Sequence, residues 1–262
     1  MSAETITEAQ TYREDMGRWH KYRLDGEIVP GVTTLINGGW PKNLAKWSAD
    51  QVAEFAIDNW PRLAKMPPSQ RLRELSGAPW ANRDRAAMRG SQVHAIAEKL
   101  MRGEAVTVPA DVAGYVQGCK RFLQEWDVRP LWAERPVFSR EHKYGGTFDL
   151  IAEMGDGVTR LLDFKTVKEG KSAGWPDHAL QGAAYIWAEF LLDESGEEVL
   201  MPGVNGFAVV ELSPGGYQVI PMRSDKKVFH SFLSVMETAQ AVKEGPDWVY
   251  AALKPPVRLE AA

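Results

Sequence analysis

At 262 residues the chain is long enough for one large α/β domain, or for one domain with a helical extension. Its composition, 44% hydrophobic and 25% charged with a net charge of −4, excludes a strongly cationic nucleic-acid coat protein, but not an enzyme that grips nucleic acid through a local basic cleft. The single cysteine, Cys119, excludes an intramolecular disulfide framework and any four-cysteine zinc or iron–sulfur site, and it fits a reducing cytoplasm. No apolar run approaches a membrane span and the polar N-terminus is no secretory signal, so a cytoplasmic protein is expected.

In chain order, residues 1–16 are polar and read as irregular. From Trp19 to Ile36 the pattern predicts two short strands about the turn Leu24-Asp25-Gly26, the second ending at Val32 to Ile36. After the loop from Asn37 to Pro41, a helix is expected to Asn59, with Leu44, Trp47, Val52, Phe55 and Ala56 as its apolar stripe. Pro61 to Pro79 reads as short helical pieces broken at Pro67-Pro68 and at Gly77-Ala78-Pro79. A strong helix follows from Ala81 to Arg102, closed by Gly103. Val93, Ile96, Ala97 and Leu100 form its buried stripe and His94 stands at the edge of that stripe. A further helix over 111–126 begins after Pro109.

Strands are then expected at 132–139, 146–153 and 158–166, a polar loop at 168–175, and a helix at 177–192. Strands at 204–212 and 216–222, an amphipathic helix at 225–244 and a proline-containing tail complete the chain. With no repeat and no low-complexity linker, one domain is expected over 1–262. It comprises an N-terminal portion to residue 80, a core over 81–245 and a tail over 246–262. Within it, Met154 to Gly157 is a hairpin turn signal between two apolar arms. The first arm carries Thr147 and Asp149; the second ends in Asp163, Phe164 and Lys165. Alternation puts Asp163 and Lys165 on one face, and pairing the arms brings Asp149 beside Asp163. Two carboxylates at the end of an apolar hairpin repel unless a cation sits between them, which outlines a hard-metal site.

The order of His94 on a helix, Glu134 on the first strand, Asp149, Asp163-Phe164-Lys165, then Gln181 and Tyr185 on the next helix resembles the RecB-type branch of the PD-(D/E)XK nuclease superfamily. It is similar in particular to phage and prophage exonucleases related to the RecB nuclease domain and to CRISPR-associated members. The resemblance covers about 85–222; upstream, Val29 to Ile36 and Leu44 with Trp47 are similar less specifically. Each piece alone is common, and the weight comes from order and setting. The resemblance implies an α/β fold with a restriction-endonuclease-like core, αβββαβ on a mixed sheet, behind a helical N-terminal portion. Thr147-Phe148-Asp149 stands where the superfamily has Pro-Asp, as is usual in this branch, and the cysteines that hold an iron–sulfur cluster in several relatives are missing, so a cluster-free member is implied.

The same resemblance implies phosphodiester hydrolysis with Mg²⁺ or Mn²⁺, the ligands being His94, Asp149, Asp163 and the Phe164 carbonyl. Lys165 would position water or offset developing charge. Glu134 reads equally as metal ligand or structural partner. Gln181 and Tyr185, one turn apart, either brace the Lys165 strand, hold a phosphate or simply pack. Glu98 reads as a solvated residue or as an orienting partner of His94. His20, His142, His178 and His230 read as surface residues. For DNA, gripped without sequence preference, Arg85, Arg89, Lys168 and Lys171 are the candidate contacts, with Arg140 and Lys143 nearby. The implied activity is a DNA exonuclease of recombination or replication, with a phage recombination partner or a homo-oligomeric ring as further implications. A structure-specific endonuclease and a non-cutting DNA-binding protein are the alternatives. No phosphate-binding Gly-Lys-Ser/Thr loop and no Gly-x-Ser-x-Gly turn occurs.

Overall fold

The computed structural model describes residues 12–15, 20–42, 44–172 and 175–249. The elements in chain order are β1 (Arg13–Asp15), β2 (His20–Leu24), β3 (Glu27–Val29), α1 (Val32–Gly39), α2 (Leu44–Leu63), α3 (Pro68–Met101) and α4 (Ala113–Glu125). Then come β4 (Arg129–Ser139), β5 (Tyr144–Glu153), β6 (Thr159–Thr166), α5 (Pro176–Ile186), β7 (Phe190–Leu192), β8 (Glu198–Leu200), β9 (Gly206–Ser213), β10 (Gly216–Met222) and α6 (Lys226–Glu244). Seven strands form one mixed sheet in the order β10-β9-β6-β5-β4-β7-β8, antiparallel except for the β6–β9 pair. The first three strands form a separate antiparallel sheet.

The hairpin at the centre follows from its residues. Gly157 takes φ 76°, a left-handed conformation open to glycine, and Asp156 accepts the Val158 N–H, so the chain reverses and the two apolar arms pair from Leu150↔Leu162 to Glu153↔Thr159. Alternation then sorts the side chains into two layers. Ile151, Leu161, Phe207 and Val209 face α1, α5 and α6, whereas Leu150, Leu162, Ala208 and Val210 face α3 and α4. A third cluster, Tyr22, Leu24, Val29, Phe138, Phe190 and Leu192, ties the small sheet to β4 and β7. Each fully buried large apolar side chain contributes about 1.5–3 kcal/mol. Starts are set locally: Pro68 and Pro176 sit in the first turns of α3 and α5, and Asp225 caps α6 by accepting from the N–H groups of Lys227 and Val228.

Several sequence expectations differ from this architecture. Val32 to Ile36 is helical, not a strand. Pro30 and Gly31 end the extended chain, and Val32, Leu35 and Ile36 lie at helical spacing, buried with Phe232, Val235 and Met236 of α6. Pro68 to Met101 is one helix, so the expected breaks at Gly77-Ala78-Pro79 and near Ala81 do not occur. Ala78 and Pro79 are buried there, and that packing offsets the hydrogen bond that Pro79 cannot make. The expected α2 stripe is shallow: Leu44 is exposed and only Leu63 is fully buried, because α3 is the neighbour that covers it. The helix expected to Leu192 stops at Ile186, and Phe190–Leu192 pairs with β4 and the unforeseen β8. In a consecutive Phe-Leu-Leu run all three side chains are buried, which a half-covered helix does not permit. Of the irregular segment expected at 1–16, Arg13–Asp15 is a strand that Tyr12 precedes without regular structure, and the rest lies outside the described residues, as does the tail beyond Val249. Among the described residues no helix is long and apolar enough to cross a membrane.

Candidate metal centre

Across β4, β5 and β6 three carboxylates share one rank. Glu134 and Asp149 stand opposite each other between the paired positions Ala133↔Leu150 and Arg135↔Phe148. One step beyond Leu150↔Leu162, Asp163 stands opposite Asp149. The ladder is irregular along this rank. Glu134 takes φ 51°, a left-handed conformation costly for a residue with a Cβ. Phe148 lies in one core layer with Ile151 while Leu150 and Ala152 lie in the other, so the alternation slips once, at Asp149. The Asp149 carboxylate is thereby turned toward β6, where the Phe164 N–H donates to its Oδ2 at 2.7 Å.

His94 reaches this rank from α3. Its Nε2–H donates to the Phe164 carbonyl at 2.7 Å, and its Nδ1 lies 3.5 Å from Asp149 Oδ2. Burial opposes a charge on the ring, but the Asp149 carboxylate lifts its pKa to about 9. Burial likewise opposes the charge of Asp149, yet His94, then Lys165 and the Phe164 N–H, hold it below the usual carboxylate range. At Glu134 the balance goes the other way: burial and then the Asp149 charge push it up to about 8, with His94 and Arg13 opposing. His94, Glu134 and Asp149 each offer a ligand atom within 4.8 Å of the others.

Asp163 lies to one side of that trio and is almost fully buried. Its Oδ2 is 2.5 Å from Lys165 Nζ, and its Oδ1 accepts from Gln181 Nε2 at 3.1 Å. The same Gln181 nitrogen donates to the Tyr185 hydroxyl at 3.2 Å, so the i, i+4 pair on α5 braces Asp163. Burial pushes Asp163 up, with Lys165 opposing, while Lys165 is itself raised because Asp163 and Asp149 outweigh its own desolvation. The centre thus has two halves, an imidazole with two carboxylates and a lysine–carboxylate pair. Asp149 adjoins both.

Not every sequence candidate converges here. At about 100° per residue, α3 turns Arg85 and Arg89 roughly 140–180° away from His94. Arg85 donates to Asn82, and the Arg89 guanidinium lies 5.3 Å from the Tyr115 ring centre. Arg140 is tied to Asp25 and Glu198 and lies over Phe190. Lys143, Lys168 and Lys171 are exposed, and Lys171 lines a groove of about 450 Å³ with Arg121, Ser172 and the buried Glu211, beside the end of β6. Glu98 pairs with Arg102 at 2.6 Å.

Sequence reasoning passes over other residues near the centre. His178, expected at the surface, is partly buried; burial and then the Lys165 charge lower its pKa. Its spacing of three and seven residues from Gln181 and Tyr185 on one α5 face is the available signal. Arg13 of β1 donates to Thr147 Oγ1 at 3.2 Å and its charge acts on Glu134, while the Tyr22 hydroxyl lies 3.0 Å from the same Thr147 oxygen. Nothing in the sequence marks a residue of a three-residue terminal strand for that place.

No family model matches the chain and no curated protein matches it. Twenty chains of solved structures match. One, described as "Crystal structure of SSO0001", is 16% identical over 52% of this chain and 61% of that chain, with a TM-score of 0.29. The match therefore spans less than two thirds of that protein's length.

Proposed function

We propose that the chain is a metal-dependent DNA exonuclease of the RecB-type PD-(D/E)XK kind, hydrolysing phosphodiester bonds in recombination or replication. On this reading the helices α3 and α4 that precede β4, then β4, β5, β6, α5 and β9, make up the restriction-endonuclease-like core, with β7 and β8 inserted before its last strand. The observation that carries the reading is the rank of Glu134, Asp149 and Asp163 across three neighbouring strands, flanked by His94 and Lys165. Carboxylates so placed are costly to hold without a function that uses them.

The donor set fits a hard divalent cation: two carboxylates and one imidazole lie within mutual reach, and burial with the Asp149 charge pushes Glu134 up to about 8 against the opposing charges of His94 and Arg13. His94, Glu134 and Asp149 would hold Mg²⁺ or Mn²⁺, with Asp163 and the Phe164 carbonyl as the neighbouring oxygens. When bound, the cation supplies charge that activates water and neutralises the scissile phosphate. Lys165, held against Asp163, would orient the attacking water and offset charge gathering on the phosphate oxygens. Gln181 keeps Asp163 facing Lys165.

The test is an assay with Mg²⁺ or Mn²⁺ on end-labelled linear duplex, single-stranded DNA and closed circles, alongside Lys165→Ala. Metal-dependent loss of linear substrates alone, abolished in the variant, is the expected result. Cleavage of circles would replace the exonuclease by a structure-specific endonuclease. No cleavage of any substrate would overturn the catalytic reading and leave a DNA-binding protein.

A further inference from the structure

α3 outruns the sheet it packs on. From Val93 onward its inner face is buried, with Val93, Ile96 and Ala97 in the core layer beneath β6 and β9. Upstream of Gly90 the covering element is α2: Asn82 donates to Gln51, and Ala78 and Pro79 are buried. Trp80, Arg83 and Ala87, by contrast, are exposed. At about 100° per residue, Trp80 and Arg83 fall within roughly 40° of His94 around the helix, and Ala87 stands between them and the site.

These two residues are assembled rather than scattered. The Arg83 guanidinium lies 4.9 Å from the Trp80 ring centre, and its Nε and Nη2 donate to Asp84 Oδ1 at 3.1 and 2.8 Å, which leaves Nη1 outside that pair. Trp80 remains 53% exposed, although the arginine covers one of its faces. The other guanidinium–tryptophan pair of the arm is structural. Arg71, over Trp60, donates to the carbonyls of Leu63, Ala64 and Met66 and closes the end of α2. Trp80 and Arg83 close no helix end. Between Arg71 and Arg89, α3 carries five arginines against Glu74 and Asp84, a local positive excess in a chain whose net charge is −4.

We propose that Trp80 and Arg83 form a binding site for a single nucleic-acid strand on its way to the centre at His94, a base stacking on the indole and a phosphate meeting the guanidinium. This rests on the nuclease reading for the identity of the polymer. The fourteen steps from Trp80 to His94 span about 21 Å of helix, roughly six nucleotides at duplex spacing. An exposed aromatic beside an arginine on the same helix face as the reacting end is what sequence-independent strand binding requires.

Fluorescence anisotropy of a labelled twenty-residue oligothymidylate, with Ca²⁺ present, tests this on the full-length protein. Trp80→Ala is expected to weaken binding about 10- to 100-fold, and Trp80→Phe to restore most of it, which also shows that the fold is intact. Arg83→Gln is expected to lower the slope of log affinity against log salt by about 0.7, one phosphate contact on a single strand. Wild-type affinity in Trp80→Ala, or no binding by the wild type, overturns the site. A Trp80→Ala protein that binds normally but loses self-association would give this face to a second copy instead. Metal-dependent cleavage with normal binding in Trp80→Ala overturns the strand site alone. Trp80-dependent binding by a protein that cleaves nothing upholds it and overturns the cleavage reading.

Discussion

Removing Lys165 should cost stability and activity for separable reasons. Its ammonium is 2.5 Å from Asp163 Oδ2, and the Asp163 side chain is only 3% exposed against 28% for Lys165. Taking one partner from a buried pair leaves an uncompensated charge, at about 3–5 kcal/mol. Two features reduce that here: Gln181 still donates to Oδ1, and the carboxyl, already raised, is free to take a proton. Lys165→Met should therefore lose about 2–3 kcal/mol at pH 8 in urea unfolding. The Asp163→Asn/Lys165→Met double variant, carrying no orphan charge, should return to within about 1 kcal/mol of wild type. The sign with pH follows from linkage. With Lys165 gone, Asp163 titrates further above its unfolded value, so the folded state binds more protons and stability falls as pH rises. The deficit should be larger at pH 8 than at pH 5. On the proposed nuclease reading both variants should be inactive, since each lacks the ammonium that would meet the phosphate. A Lys165→Met protein within about 0.5 kcal/mol of wild type at pH 8, or a deficit that grows on acidification, would refute the buried-pair reasoning.

Three more outcomes follow from the packing and the charges. An added Cβ at Gly182 would come within 2.3 Å of the Phe207 ring, so Gly182→Ala should destabilise by about 1–3 kcal/mol in thermal unfolding; no change would refute the α5–β9 contact. Asp225→Ala, which removes the acceptor for the Lys227 and Val228 N–H groups, should lower the urea midpoint, and Asp225→Asn should lower it much less; equal midpoints would refute the cap. Divalent-cation affinity, measured by calorimetry in buffers of different ionisation enthalpy, should fall as pH drops from about 9 to 6, with proton release on binding, because His94 at about 9 and Glu134 at about 8 must lose protons to become ligands. A pH-independent affinity would show that neither group is a ligand.

The central strands were legible because their signals are local. Asp156 and Gly157 specify the hairpin turn, alternation specifies its two faces, and the Asp163–Lys165 spacing survives any small error in strand ends. The N-terminal half was less legible for a physical reason. Val32 to Ile36 has strand-forming residues but is held as a helix by α6, and Pro79 would end a helix were it not buried. Tertiary packing overrides propensity in both places. The surface cations show the same limit. Nearness in sequence to His94 points to Arg85 and Arg89, whereas helical phase turns them away and brings Trp80 and Arg83, farther along the chain, onto its side.

What alternation could not give is how the row of acids is tolerated. A regular ladder would set Glu134, Asp149 and Asp163 side by side with nothing between them. The backbone instead leaves the ladder at Glu134, and the alternation slips at Asp149, which sends the Asp149 carboxylate to the Phe164 N–H. Each half of the centre then receives its own cation, His94 on one side and Lys165 on the other. The two cations differ in what they can surrender. Lys165 is raised further from neutrality by Asp163 and Asp149, so its ammonium is the harder of the two to discharge. His94 can give up its proton and become a neutral ligand, and the groups it touches, Asp149 and the Phe164 carbonyl, are oxygen donors. The imidazolium therefore holds in place, without metal, the charge balance that a divalent cation would take over. On the proposed reading, the left-handed backbone at Glu134 brings a third donor within reach of the same point.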